Sequence, residues 1–253
     1  MRYWSLTDPG CVRTQNQDSH DISRLDRNTH FFVVCDGMGG AKAGNVASDM
    51  AARTLAEQVK EKYRSVMTPE MLDLMMDQAV QQANFAVYDH AGQSEDYAGM
   101  GTTLAAVLLR GKMATVVNVG DSRVYRINED GITQITVDHS LVQLMIQRGE
   151  LAPERARNFP GKNYITRAIG TEATVKCDIF HLDLKRGDSL LICSDGLTNM
   201  VHDQEILFEI LYGENKADCC QRLLDIAKTA ARRIMSPVFW CSSERSVKGA
   251  RNG

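Results

Sequence analysis

Apolar residues recur along this chain with two periods, and the switches between them lay out its elements. Phe31, Phe32, Val33, Val34 and Cys35 form a continuous β-prone run that stops at Asp36, followed by Gly37, Met38, Gly39 and Gly40. The pattern predicts a buried strand over 31–35 that carries a carboxylate to its end, beside glycines that let backbone approach a ligand closely. Past Gly44 the period becomes helical, with Val46, Ala47, Met50, Ala51, Leu55 and Val59 on one face. A second helix is predicted over 69–90, with Leu72, Met75, Ala79, Ala83 and Ala86 on one face, Pro69 in its first turn and Thr68 as its cap. Ahead of the first strong strand, residues 3–7 alternate weakly and predict an edge strand. Asp8, Pro9 and Gly10 signal a turn, and 24–28 reads as a charged loop.

From Gly101 the period becomes two. Strands are predicted over 104–109, 114–119, 123–127 and 132–136, split by short polar or glycine-bearing turns too brief for crossover helices, so they pair as antiparallel hairpins. A short helix over 140–149 leads to a polar surface excursion over 150–162 that contains two prolines. Strands over 175–182 and 189–193 and helices over 204–211 and 216–233 follow. Helices, then hairpins, then helices predict an α+β fold in which helices pack outside antiparallel sheets, with strands enough for two sheets. No internal repeat or domain boundary is visible.

Composition narrows the possibilities. The chain has 253 residues, 43% hydrophobic and 24% charged, with a net charge of -3. That balance gives no reason to expect nucleic acid or a membrane surface as a partner. No apolar run reaches transmembrane length, and the start lacks a signal-peptide core. Seven cysteines without a C-x-x-C pair and six histidines without zinc spacing predict buried free thiols in a reducing, cytoplasmic setting.

Chemistry gathers at four acids. Asp18 ends a polar stretch. Asp36, Asp121 and Asp195 each follow an apolar strand-like run and stand next to glycine. Strand-end acids that converge would repel unless cations lie between them. Carboxylate, carbonyl and water ligands suit Mg2+ or Mn2+, and two such ions close together favour in-line displacement at phosphorus. A guanidinium would then hold the phosphate, and Arg13 is the candidate. For Arg123 a structural ion pair and a substrate role stay equally open. Asp138, His139 and Ser140 suit a helix start, with His139 as a proton carrier in the alternative.

These residues fall in motifs with a familiar order. The stretches 13–18, 34–40, 101–103, 119–123, 138–140, 165–170 and 194–197 resemble the motifs of the metal-dependent PP2C-type (PPM) serine/threonine protein phosphatases in their compact bacterial form. The resemblance covers residues 1–229. It implies a four-layer α/β/β/α sandwich of two antiparallel sheets flanked by helices. It further implies two Mn2+ or Mg2+ ions, with Asp36 bridging both and the Gly37 carbonyl on one. Asp195 would bind one ion of the pair, and Asp18 would lie on or just behind the ions. Asp121 with Asp195 would hold a weaker third ion, and Arg13 would hold the substrate phosphate. The segment 150–162 matches the flap beside the active site. Met38 stands where many eukaryotic relatives carry histidine, and it cannot donate a proton.

The implied activity is hydrolysis of phosphoserine and phosphothreonine in phosphorylated proteins, by a monomer that opposes a cognate bacterial Ser/Thr kinase. The alternative is a catalytically impaired, phosphoprotein-binding or regulatory module. The alternative is raised by the tail. The family closes on Gly-x-x-Asp-Asn-x-Thr and a last strand, whereas residues 230–253 contain no Asp. Arg233 to Trp240 admits the codons CGG ATA ATG TCA CCG GTG TTT TGG. Read from the third base, these give Asp-Asn-Val-Thr-Gly-Val-Leu. The sequence therefore predicts a shift of reading frame near Thr229, with a metal ligand and a strand lost, metal affinity weakened and stability lowered.

Overall fold

The computed structural model describes residues 2–10, 15–39 and 43–235. Nine strands and six helices arise among them. β1 (Asp18–Arg24), β2 (Thr29–Met38), β3 (Gly101–Thr102), β4 (Leu104–Arg110), β5 (Met113–Val119) and β8 (Asp178–Asp183) form a six-stranded antiparallel sheet in the order β1-β2-β4-β5-β8, with β3 paired to β2. β6 (Arg123–Asn128), β7 (Gly131–Gln134) and β9 (Ser189–Cys193) form a three-stranded sheet in the order β7-β6-β9.

Three cores hold the layers together. α1 (Ala43–Lys62) and α2 (Pro69–Ala91) bury Ala47, Leu55, Met76 and Val80 against Phe31, Val33 and Cys35 of β2. Thr68 caps α2, accepting from the Met71 N–H at 3.3 Å. Between the sheets, Ala105, Val107, Ala114, Val116 and Val124 make a second core. On the far side, α5 (Asp203–Tyr212) and α6 (Cys219–Met235) bury Ile206 and Leu223 with Tyr125 and Ile127 of β6. The result is the helix–sheet–sheet–helix sandwich that the pattern and the resemblance predict. α3 (Leu141–Gln147) and the four-residue α4 (Asp195–Thr198) complete the helices, α4 adding Leu197 to the third core.

The predicted elements recur with shifted ends, and two differences stand out. No strand is predicted over β1, whose two ends alone fall in a polar stretch and a charged loop. Its sequence is polar because it is an edge strand, with Ser23 its only buried residue, so alternation gives no signal. The strand predicted over 3–7 does not form. That segment pairs with no strand; Tyr3 lays its ring against Phe32 at 5.7 Å, while Trp4 and Leu6 stay exposed. Weak alternation makes a strand only where another strand's edge completes the ladder. The turn after it holds, with the Gly10 N–H donating to Asp8 Oδ1 at 2.9 Å. α6 runs through position 229 to Met235. The rest of the predicted tail, 236–253, lies outside the described residues, as does Arg13.

Candidate metal centre

β2 alternates strictly. Phe31, Val33 and Cys35 face α1 and α2, so Phe32, Val34 and Asp36 face the second sheet. Asp18 of β1 stands in register with Asp36. Directly opposed residues share a face with Cβ atoms roughly 5 Å apart, so the two carboxylates are neighbours. The Asp36 backbone is clamped. Its N–H donates to Thr103 Oγ1 at 2.9 Å, and its carbonyl accepts from the Thr103 N–H and from Thr102 Oγ1, each at 2.9 Å. The Gly37 N–H donates to the Gln17 carbonyl at 3.0 Å. A Cβ at Gly37 would collide with the Gly44 carbonyl, so only glycine lets the strand end approach the start of α1 this closely.

Asp195 arrives from the other sheet, at the first residue of α4 directly after β9. Ser194 donates from Oγ to Asp18 Oδ2 at 2.7 Å, which ties the ends of β1 and β9 together across the sandwich. Asn199 donates from Nδ2 to Asp195 Oδ2 at 2.9 Å. Asp18, Asp36 and Asp195 all line one cleft of about 720 Å³ between the sheets. Asp121 follows β5 and is not among the lining residues, yet it feels the charge of one of them, Asp195. Burial first, then Asp195 and Asp138, push its carboxyl up to about 7, against the pull of Arg123.

Among the described residues, no three His, Cys, Asp or Glu side chains stand close enough to hold an ion by themselves. The oxygens that are present nevertheless fit a hard cation better than zinc. They are all carboxylate and carbonyl, and Asp121 and Asp195 repel in a way that a cation would relieve. The Gly37 carbonyl and water would have to complete such a shell.

The residues with two readings separate cleanly. Arg123 grips Asp138 through Nε and Nη2, with Nη2 to Oδ2 at 2.6 Å, and also donates to the Tyr125 hydroxyl at 3.0 Å, so it is a structural ion pair. Ser140 caps α3, accepting from the Gln143 N–H at 3.2 Å. His139 is turned inward toward Gly120 and Asp178 and is 7% exposed. Burial lowers its pKa, against the opposing pull of Asp178. The described cysteines are free thiols, and Cys35, Cys177 and Cys193 are buried.

Ser194 and Asn199 were missed from sequence, although Asn199 stands four residues after Asp195, the spacing of one helical turn. The 150–162 excursion forms a short helix over Pro153–Asn158 and reaches the site. Arg157 donates from Nη2 to the carbonyl of Asn199 at 3.2 Å, and Asn163, the residue just after the excursion, lines the cleft.

Comparison with known proteins agrees with this geometry. A family model described as Protein phosphatase 2C matches residues 12–214. A serine/threonine phosphatase stp of Listeria innocua is 40% identical over 200 residues, 79% of each chain. The protein phosphatase PhpP of Streptococcus pneumoniae is 36% identical over 238 residues, covering 89% of this chain and 90% of that one. The crystal structure of the serine/threonine phosphatase Stp1 from Staphylococcus aureus superposes with a TM-score of 0.84 at 35% identity, over 89% of this chain and 88% of that one.

Proposed function

The chain belongs to the protein phosphatase 2C family, and we propose on that premise that it hydrolyses phosphoserine and phosphothreonine in proteins at the cleft where Asp18, Asp36 and Asp195 meet. One observation carries the reading: strand ends from two different sheets are tied together beside their acids, the Ser194 hydroxyl donating to the Asp18 carboxylate. A fold does not need that arrangement for packing, because each acid could point to solvent from its own strand end.

The family is metal-dependent. Asp36 and the Gly37 carbonyl would hold a pair of Mn2+ or Mg2+ ions with Asp195, Asp18 would support them, and Asp121 with Asp195 would hold a weaker third. When bound, such ions supply an activated water nucleophile and neutralise charge developing at phosphorus. The chain's own residues do the positioning. Thr102 and Thr103 fix the Asp36 backbone, Ser194 aims Asp18, and Asn199 aims Asp195. Arg13 would clamp the phosphate by two parallel hydrogen bonds. Met38 supplies no proton, so the leaving serine or threonine oxygen takes its proton from elsewhere.

Phosphorylated proteins are the substrates, and a bacterial Ser/Thr kinase is the enzyme whose products this chain would reverse, acting as a monomer in the cytoplasm. No helix among the described residues is long and apolar enough to cross a membrane. The reading as a non-catalytic module has no support in the site, which keeps the acids together in one cleft.

The test is release of phosphate from a phosphothreonine peptide with added Mn2+, with Asp36→Asn and Arg13→Ala as controls. Mn2+-dependent turnover by the wild-type chain, lost in Asp36→Asn and cut at least about a hundredfold in Arg13→Ala, is expected. Phosphopeptide binding without turnover would overturn the proposal in favour of a binding module.

A further inference from the structure

Gly120, the residue before Asp121, is held on two sides. Its φ is +102°, and a Cβ there would stand 2.7 Å from Thr103 Cγ2, so Thr103 closes one side. His139 closes the other. The Gly120 N–H donates to His139 Nδ1 at 3.0 Å, and the Gly120 carbonyl accepts from the His139 backbone N–H at 2.9 Å. A backbone amide can only donate, so Nδ1 carries no proton and the ring hydrogen is on Nε2. Nε2 then donates to Asp178 Oδ2 at 3.0 Å. Arg167 Nη1 also lies 2.9 Å from Nε2, but both atoms bear hydrogen. Its hydrogen bonds go to Asp178 Oδ1 and the Lys176 carbonyl, each at 3.0 Å. Asp178 opens β8 in register with Asn118 of β5, so the carboxylate that orients the ring belongs to the same sheet as the strand leading to Gly120.

The geometry points to His139 as a positioning residue for Asp121: its Nδ1, aimed by Asp178 and Arg167, sets the Gly120 peptide and thereby the place of the Asp121 carboxylate. His139 touches no substrate and moves no proton; it acts through one hydrogen bond to the backbone. This inference rests on the reading of Asp121 as a ligand of the weaker ion. Outer partners that orient a ligand in this way typically change metal affinity by about 10–100-fold when removed.

Asparagine and glutamine divide the two ring functions. Asn at 139 keeps an acceptor near the Nδ1 position but loses the bond to Asp178, whereas Gln keeps a donor near Nε2 and loses the acceptor for Gly120. The experiment is calorimetric titration of the full chain with Mn2+ alone, without substrate. The proteins compared are wild type, Asp36→Asn, Asp121→Asn, His139→Asn, His139→Gln and Asp178→Ala. Circular dichroism and thermal unfolding in EDTA confirm that each variant folds. Asp121→Asn is expected to lose the weakest binding event and keep the tighter ones. His139→Gln should weaken that same event by about 10–100-fold; His139→Asn and Asp178→Ala, which each keep an acceptor for Gly120 and lose only the tie that aims it, should weaken it less, by about 3–10-fold.

Wild-type binding by His139→Gln, or equal damage by Asn and Gln, overturns the positioning role. If His139→Gln fails to fold, Asp178→Ala decides, and an unaltered weak event there overturns it equally. If Asp121→Asn loses no event, the assignment of Asp121 fails and this inference with it. Loss of the tighter events in Asp36→Asn would still leave the main site standing.

Discussion

Asp121 should destabilise the metal-free protein as pH rises, and Asp121→Asn should remove the effect. Its carboxyl is raised from 3.8 to about 7 by burial, Asp195 and Asp138. Between those two values the folded chain holds a proton that the unfolded chain has released. Stability therefore falls as pH rises across the window and levels off above about 7. The shift is about 3 units, which at roughly 1.4 kcal/mol per unit gives a ceiling of about 4 kcal/mol. Solvent reaching the half-buried carboxyl should lower this to about 2–3 kcal/mol. The assay is urea unfolding in EDTA at pH 4, 6 and 8 for wild type and Asp121→Asn. The two should nearly coincide at pH 4 and separate at pH 8, with the variant the more stable. Adding Mn2+ at pH 8 should close the gap, because a cation between Asp121 and Asp195 offsets their repulsion. Parallel stability profiles from pH 4 to pH 8 would refute the claim that Asp121 is ionised at a cost.

Other expectations concern the supports of the site. Thr103→Val removes the acceptor for the Asp36 N–H and the 2.6 Å contact to the Ser122 hydroxyl. It should cost about 1–3 kcal/mol in urea unfolding and raise the Mn2+ concentration needed for half-maximal turnover; an unchanged Mn2+ requirement would mean that Asp36 does not depend on this clamp. Arg123→Ala leaves the Asp138 carboxylate, 11% exposed, without its guanidinium and should cost roughly 2–3 kcal/mol, while substrate KM stays unchanged; a raised KM would restore the substrate role for Arg123. Replacing the residues after Thr229 by the shifted-frame sequence carrying Asp-Asn-Val-Thr should tighten Mn2+ binding by about tenfold or more and raise the thermal midpoint, and equal values for both chains would sink the frame-shift reading.

The parts of the fold visible in sequence were those with a two-sided contrast. β2 and β5 are apolar enough to announce themselves, and α2 carries proline, cap and stripe together. β1 gave no signal because an edge strand needs polar residues, and the 3–7 segment gave a false one because alternation says nothing about whether a partner edge exists. The acids Asp36, Asp121 and Asp195 stood out as candidates because each follows an apolar run beside a glycine. That Asp18 would bond to Ser194, 176 residues away, was not legible: register and sheet stacking decide it, and neither has a local signature. His139 shows the same limit. Its neighbours Asp138 and Ser140 act as a local pattern suggests, one pairing with Arg123 and the other capping α3. The imidazole instead takes partners from β8 and the end of β5, which only the folded sheet brings within reach.

The electrostatics of Asp121 also explain why an ion there should be weaker than one at Asp36. Asp36 sits on a strand whose backbone is fixed from both sides by Thr102 and Thr103, beside an Asp18 already held by the Ser194 hydroxyl. An ion arriving there meets acids whose positions are set before it binds, so little ordering is lost. At Asp121 the ion must displace a proton that the carboxyl keeps up to about pH 7. Below that pH each binding event releases the proton, and apparent affinity falls about tenfold for every unit of pH. Above it the proton is gone, but the repulsion from Asp195 has already been incurred and is returned when the ion binds. Affinity at Asp121 should therefore rise steeply up to about pH 7 and then flatten. A third ion would thus come and go with pH, because at Asp121 the proton and the cation compete for the same oxygens.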